Sequence, residues 1–290
     1  MTVLAPGLYT RLAQNNRLYV FERNAMIISS TTNARIKQIR SLTHRHEREQ
    51  TQLFFIEGIR IVAEAIQLHA IIHTLVYAPT LLKSPFGLQL VQQQQEQGVP
   101  CLEVSADVFK SLSVKDGPQG LAAVVQQHWE QLDMLPVQAD LCWIALDAAQ
   151  DPGNIGTILR TSDAIGAAGL LLLGACADPY DSGALRASMG AIFSQHLVKA
   201  SFTEFVRWKH ERSLTVVGTS DKGALAYRQA TYTRPLVLLM GSEREGLSET
   251  QQAQCDTIVK IPMVGRSDSL NLAVATGVVL YEIFHQHSQR

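Results

Sequence analysis

Five short, almost unbroken apolar runs govern the second half of this 290-residue chain: Leu141–Leu146, Leu170–Leu173, Leu214–Gly218, Leu236–Met240 and Thr257–Ile261. Each has the length of a strand, and their apolar density requires cover on both faces. Helical periodicity separates them at Gly156–Ile165, Ser182–Phe193, Phe202–Glu211 and Leu270–His285. Buried strands alternating with helices predict an α/β unit built on a parallel, doubly wound sheet. Upstream, a polar basic helix is expected at Thr31–Arg48, followed by strands at Leu53–Ile56, Ile71–Tyr77, Val99–Val104 and Leu121–Val125. Helices at Glu57–Leu68, Leu88–Gln97 and Ala106–Leu112 lie between those strands. This pattern predicts a second, smaller α/β domain. Periodicity fails over residues 127–140, which contain Pro136. The expected organisation is therefore an appended arm at 1–25, a small domain at 26–126, a linker at 127–140 and a larger domain at 141–290.

Charge distinguishes the two halves. Residues 1–60 carry nine Lys and Arg against four acids, a net +5, whereas the remaining 230 residues sum to −6. Lys37, Arg40, Arg45 and Arg48 concentrate that charge on the first helix and suit a polyanionic partner at one end of the molecule. With 46% hydrophobic and 18% charged residues, the chain is neither disordered nor fibrous. No apolar run reaches the length of a membrane helix, about 20 residues. Cys101, Cys142, Cys176 and Cys255 form no CxxC pair and have no histidine at metal-ligand spacing. They are expected as free thiols of a cytoplasmic protein that binds no metal.

Three strand ends carry polar, glycine-bearing segments. The first, Asp151-Pro-Gly-Asn154-Ile-Gly-Thr-Ile-Leu-Arg160, follows the Leu141–Leu146 strand. The second, Met240-Gly241-Ser-Glu243-Arg-Glu-Gly246-Leu-Ser, places an acid between two glycines at a strand terminus. The third runs from Ile261-Pro through Gly265 and Ser269-Leu270-Asn271 into the last helix, where Ser269 is the expected N-cap. Ligands of open α/β sheets bind at such strand ends. Neither GxGxxG nor a P-loop occurs, so dinucleotide and triphosphate sites have no support.

These segments, in this order and spacing, resemble the three motifs of the SpoU (TrmH-like) RNA 2′-O-methyltransferases, and Leu185–Phe193 is similar to a further stretch of that family. The upstream half resembles the ribosomal-protein-like substrate-binding domain found ahead of many members. The resemblance implies a deep trefoil knot, a rare exception to ordinary chain topology, and binding of S-adenosyl-L-methionine (AdoMet). By position, Met240, Gly241, Gly246, Ile261 and Leu270 would cradle the cofactor, with Thr219 closing its adenine side. It also implies a homodimer through the catalytic domain, with active sites near the interface. Arg160 would act at the ribose, with Asn154, Glu243, Ser269 and Asn271 orienting it and the substrate. A guanidinium is always protonated, so Arg160 is expected to stabilise charge and hold phosphate rather than to act as a base. The target, a ribose 2′-hydroxyl, exists only in RNA, and the two-domain layout favours large-subunit ribosomal RNA over transfer RNA. The competing reading is an inactive RNA-binding assembly protein of the same fold. Retention of Arg160, Asn154, Glu243, Ser269 and Asn271 favours the enzyme. Arg244 and Glu245 stand where smaller or more varied residues are common.

Overall fold

Turn chemistry and apolar runs resolve into two sheets that share one core. The structure is a computed structural model and describes residues 27–114, 117–135 and 142–288. The expected arm at 1–25, and Pro136 and Leu141, lie outside the described residues. The first sheet combines β1 (Leu53–Glu57), β2 (Ile72–Tyr77), β3 (Cys101–Glu103) and β4 (Leu121–Gln126) in the order β1-β4-β2-β3. Here β4 runs antiparallel to both neighbours, while β2 and β3 are parallel. Around it lie α1 (Ala34–Ser41), α2 (Arg45–Thr51), α3 (Ile59–Gln67), α4 (Pro85–Glu96) and α5 (Ala106–Leu112). The single basic helix expected over Thr31–Arg48 is two helices. Leu42 ends the first, and the turn through Thr43 leads to His44, which precedes the second.

The second sheet has the order β7-β6-β5-β10-β8-β11-β9, every strand parallel to its neighbours. Its strands are β5 (Cys142–Asp147), β6 (Gly169–Leu173), β7 (His196–Ala200), β8 (Thr215–Thr219), β9 (Leu225–Ala226), β10 (Leu236–Met240) and β11 (Thr257–Lys260). The covering helices are α6 (Pro152–Ala164), α7 (Ser182–Ser188), α8 (Phe202–Glu211), α9 (Glu249–Gln252) and α10 (Leu272–Ser288). Both edge strands, β7 and β9, escape sequence reading because they are short and only partly apolar. α6 opens by the chemistry its sequence encodes: the Asp151 side chain accepts from Gly153 N at 2.7 Å, and Pro152 stands in the first turn. α7 lies so close to α6 that a Cβ at Gly156 would stand 2.2 Å from the Ala184 carbonyl oxygen.

One apolar core runs from β1 and α3 of the small domain into α6 and α7 of the large one. Phe54 packs on Tyr180 at 4.6 Å between ring centroids, and Trp129 meets Tyr180 edge-on at 5.3 Å. A second core on the other sheet face gathers Trp143, Phe205 and Trp208, with Leu132 and Leu135 of the expected linker buried in it. Those linker residues are thus packed onto the large sheet. Arg48 joins the domains. It was expected to face RNA, but it is 3% exposed: Nε donates to Asp178 at 2.7 Å and Nη1 donates to the Leu42 and Thr43 carbonyls at 2.9 Å. Its Nη2 reaches Asp181 at 3.5 Å. Burial of an arginine requires this complete set of partners, which leaves Arg48 no surface for phosphate.

Candidate active site

β5 and β10 are adjacent and in register, Leu146 beside Met240, so the loops that leave them emerge together. On the far side of β10 lies β8, and beyond it β11. All four strands point the same way, which brings the three polar segments to one edge of the sheet, the carboxyl end where α/β folds hold ligands.

A hydrogen-bonded chain links the three segments. Asn154, buried in the first turns of α6, donates from Nδ2 to Glu243 Oε1 at 3.3 Å. Its Oδ1 accepts from Asn271 Nδ2 at 2.9 Å. Asn271 Oδ1 in turn accepts from Ala273 N at 2.9 Å and Val274 N at 3.3 Å, capping α10. The helix cap therefore falls to Asn271, two residues beyond the expected Ser269, because the chain turns helical only at Leu272. Gln150 N donates to both Glu243 carboxylate oxygens at 3.2 Å, and Asp151 N reaches Oε1 at 3.4 Å. Partial burial pushes the Glu243 carboxyl upward. The donors around it, the amides of Glu243 itself, Gln150 and Asp151 and the Asn154 side chain, outweigh burial and hold it below the usual carboxylate range. Glu243 is thus an anion at neutral pH, and it fixes which end of the Asn154 amide faces it. The Gln150 and Asp151 amides have no side-chain signature and are not legible in sequence.

The other expected site residues fall into two groups. Thr219 and Met240, at the ends of adjacent strands, touch through Thr219 Oγ1 and Met240 Sδ at 3.4 Å. Gly241 and Gly246 pack backbone to backbone: a Cβ at Gly241 would stand 2.1 Å from the Gly246 carbonyl carbon. Ile261 follows β11, and Leu270 lies exposed on the loop before α10. Along 262–270 the residues are exposed and form no backbone–backbone hydrogen bond among the described residues. The exposed 262–270 segment, the tight Gly241–Gly246 turn and the apolar side chains of Met240 and Ile261 thus stand at neighbouring strand ends, where backbone groups and apolar surface could hold a nucleoside-bearing cofactor. Arg160 and Ser269 stand outside the network. Arg160 is exposed on α6, two turns past Asn154, and forms no ion pair or side-chain hydrogen bond among the described residues. Ser269 is exposed and likewise unbonded.

Of the expected RNA contacts, Lys37 is exposed and unpaired among the described residues. Arg40 Nη2 donates to Ser111 Oγ at 2.9 Å. Arg45 pairs with Glu49 at 2.8 Å and reaches the Cys176 carbonyl of the large domain at 3.1 Å.

Comparison with known proteins agrees with this architecture. Residues 142–281 match the SpoU rRNA Methylase family, and residues 33–123 match the MRM3-like substrate binding domain. The chain is 32% identical to the 23S rRNA (uridine(2479)-2'-O)-methyltransferase of Streptomyces viridochromogenes, covering 89% of this chain and 91% of that protein. It is 29% identical to the 23S rRNA (guanosine(2553)-2'-O)-methyltransferase of Bacillus subtilis, covering 88% and 98%. Among solved structures, the AdoMet-bound rRNA methyltransferase of Sinorhizobium meliloti superposes with a TM-score of 0.84 at 36% identity, covering 90% of this chain and 98% of that one. Both sheets, the three joined segments and these relatives lead to one assignment: the chain belongs to the SpoU rRNA methylase family.

Proposed function

We propose that this protein transfers a methyl group from AdoMet to a ribose 2′-hydroxyl of large-subunit ribosomal RNA. The observation that carries this reading is the Asn271–Asn154–Glu243 chain, which joins all three motif segments beside the exposed 262–270 segment. An inactive RNA-binding relative would have no need to keep such a network intact. Two-domain relatives from Streptomyces viridochromogenes and Bacillus subtilis, aligned over nearly their whole length, are named as 23S rRNA methyltransferases.

Bound AdoMet supplies an electrophilic methyl group on a sulfonium, so no metal is required for activation. Met240, Gly241, Gly246, Ile261 and Leu270 would hold it, with Thr219 at the adenine side. The ribose oxygen gains the methyl carbon, the electron pair of the broken bond returns to sulfur, and the hydroxyl proton leaves to solvent. Arg160 keeps its own proton. It holds a phosphate of the substrate and stabilises negative charge developing on the ribose oxygen. Asn154, locked at both ends of its amide, orients the ribose, while Glu243 holds Asn154 and Asn271 ties the site to α10. The family's knot would form where the chain, leaving β10 beside β5, passes over β8 to reach β11.

The catalytic domain forms a homodimer in this reading. Its support is an apolar stripe on α10, where Val274, Tyr281 and Phe284 are exposed along one helix face.

Calorimetric titration with AdoMet tests the cofactor assignment: saturation at one AdoMet per chain is expected, and no binding up to millimolar cofactor contradicts it. Tritiated methyl transfer into transcripts of 23S rRNA, 16S rRNA and transfer RNA then tests the substrate. Label confined to 23S rRNA is expected, and label in transfer RNA alone would overturn the ribosomal assignment.

A further inference from the structure

Between the two domains lies a cleft of about 330 Å³, lined by β1 and α3 on one side and by α7 on the other. Its volume stands at the lower end of the range for small-ligand sites, about 300–1,000 Å³. Its apolar lining includes Phe55, Ile61 and Val114 from the small domain and Met189 at the end of α7. Met189 and Val114 are exposed. Two arginines line the same cleft, Arg60 on α3 and Arg186 on α7. Both are exposed, and neither forms an ion pair or side-chain hydrogen bond among the described residues. The acid in the lining, Glu57, is buried and already engaged by Ser113 Oγ at 2.6 Å and Val114 N at 3.3 Å. Those two donors are neutral and leave its charge in place, but among the described residues it pairs with neither Arg60 nor Arg186. This contrasts with Arg48, in the same lining, whose charge Asp178 and Asp181 cancel.

Apolar surface between two free guanidinium groups is complementary to an unstacked nucleobase and its flanking phosphates. Arginine binds phosphate through its planar fork and stacks on aromatic rings. We infer that this cleft holds one unpaired nucleotide of the RNA substrate, its base on Phe55, Ile61 and Met189 and its phosphates on Arg60 and Arg186. The inference rests on the proposed function and extends it to substrate selection. The start of α7 lies against the start of α6, with a Cβ at Gly183 placed 3.8 Å from Pro152 Cβ. α7 lines the cleft from Ser182, beside that contact, to Met189, about 10 Å further on, and in this inference the held nucleotide is a neighbour of the methylated one. A nucleotide that must be flipped into the cleft selects RNA sites with an unpaired neighbour.

The test uses the full-length protein, a 23S rRNA transcript, and three variants at exposed positions: Arg60→Ala, Arg186→Ala and Val114→Trp, the last of which adds bulk to the cleft lining. Each should weaken rRNA binding and raise KM for rRNA about tenfold, the loss expected for one stacked or phosphate contact. AdoMet affinity and kcat should stay unchanged. Only the two arginine variants should lower the salt slope of rRNA binding, by about one unit. If Val114→Trp leaves binding and KM unaltered while the arginine variants weaken them, the cleft is a cationic surface without a base pocket and the inference fails. It also fails if none of the three changes either quantity. Filter binding of the rRNA gives its result without turnover. A wild-type protein that binds rRNA but transfers no methyl group would therefore overturn the catalytic reading separately.

Discussion

Asn154 and Asn271, 117 positions apart, meet through a 2.9 Å hydrogen bond between their side-chain amides. With Glu243 accepting from the other end of the Asn154 amide, this contact determines the orientation of a buried side chain that no backbone element alone would fix. Replacing Asn154 by Ala should lower kcat by about two to three orders of magnitude, as loss of an oriented polar group in a catalytic site does. Asn154→Asp should be worse at neutral pH, since it places a second carboxylate beside Glu243. Steady-state methyl transfer checks both, with AdoMet affinity as the control for folding.

Arg160 is set apart from that network and stands free on α6. Arg160→Ala should abolish methyl transfer while AdoMet affinity changes only a few-fold. Arg160→Lys, which keeps charge but loses the planar fork, should retain a small residual rate. Single-turnover kinetics with rRNA distinguish the two, and a fully active Ala variant would remove Arg160 from the site.

Two neighbouring arginines on α2 should differ in their effect on stability. Arg48→Ala leaves Asp178 buried without its partner and should cost about 3–5 kcal/mol. Arg45→Ala breaks a half-exposed i,i+4 pair and a hydrogen bond to the Cys176 carbonyl and should cost about 1–2 kcal/mol, less than Arg48→Ala. Denaturant unfolding measures both. Arg48→Ala should also impair rRNA methylation, by freeing the small domain from the 178–181 segment.

Glu243 couples the site to pH. Its folded carboxyl lies below the ordinary value of 4.5, so the folded state binds its proton less readily than the unfolded chain. The stabilisation is fully present above pH 4.5 and is lost as pH falls through the lower, folded value. Glu243→Gln should therefore reduce the loss of stability between pH 4.5 and more acidic solution, which thermal unfolding across that range measures.

The exposed stripe of α10 gives a prediction for assembly. Tyr281→Glu, at a side chain 53% exposed whose ring lies 6.3 Å from that of Phe284, should turn a dimer into a monomer with the helix intact. Light scattering on size-exclusion chromatography reads the mass directly. A wild-type monomer would overturn the dimer.

Much of this architecture was legible in the sequence because strand ends advertise themselves. Asn154, Glu243 and Asn271 each stand beside glycine or a helix start just after an apolar run, and the fold brings all three together. The strand order was not legible. Insertion of β10 between β5 and β8 depends on which apolar strands pair, and Leu236–Met240 is as apolar as its rivals. The fate of Arg48 was hidden for a related reason. On its own helix it reads as one of several basic residues, and only Asp178, 130 positions away, turns it into an interdomain tie. Ser269 misled because serine is a good N-cap, while Asn271, two residues on, caps as well and also reaches Asn154.

The most direct measurement is mass spectrometry of nucleosides from a 23S rRNA transcript incubated with the protein and AdoMet carrying a deuterated methyl group. The account predicts a single labelled nucleoside with the methyl on its ribose 2′-oxygen, formed by wild type, absent with Arg160→Ala and formed far more slowly with Asn154→Ala. Label on a base, or no label in a protein that binds both AdoMet and the rRNA, would contradict it.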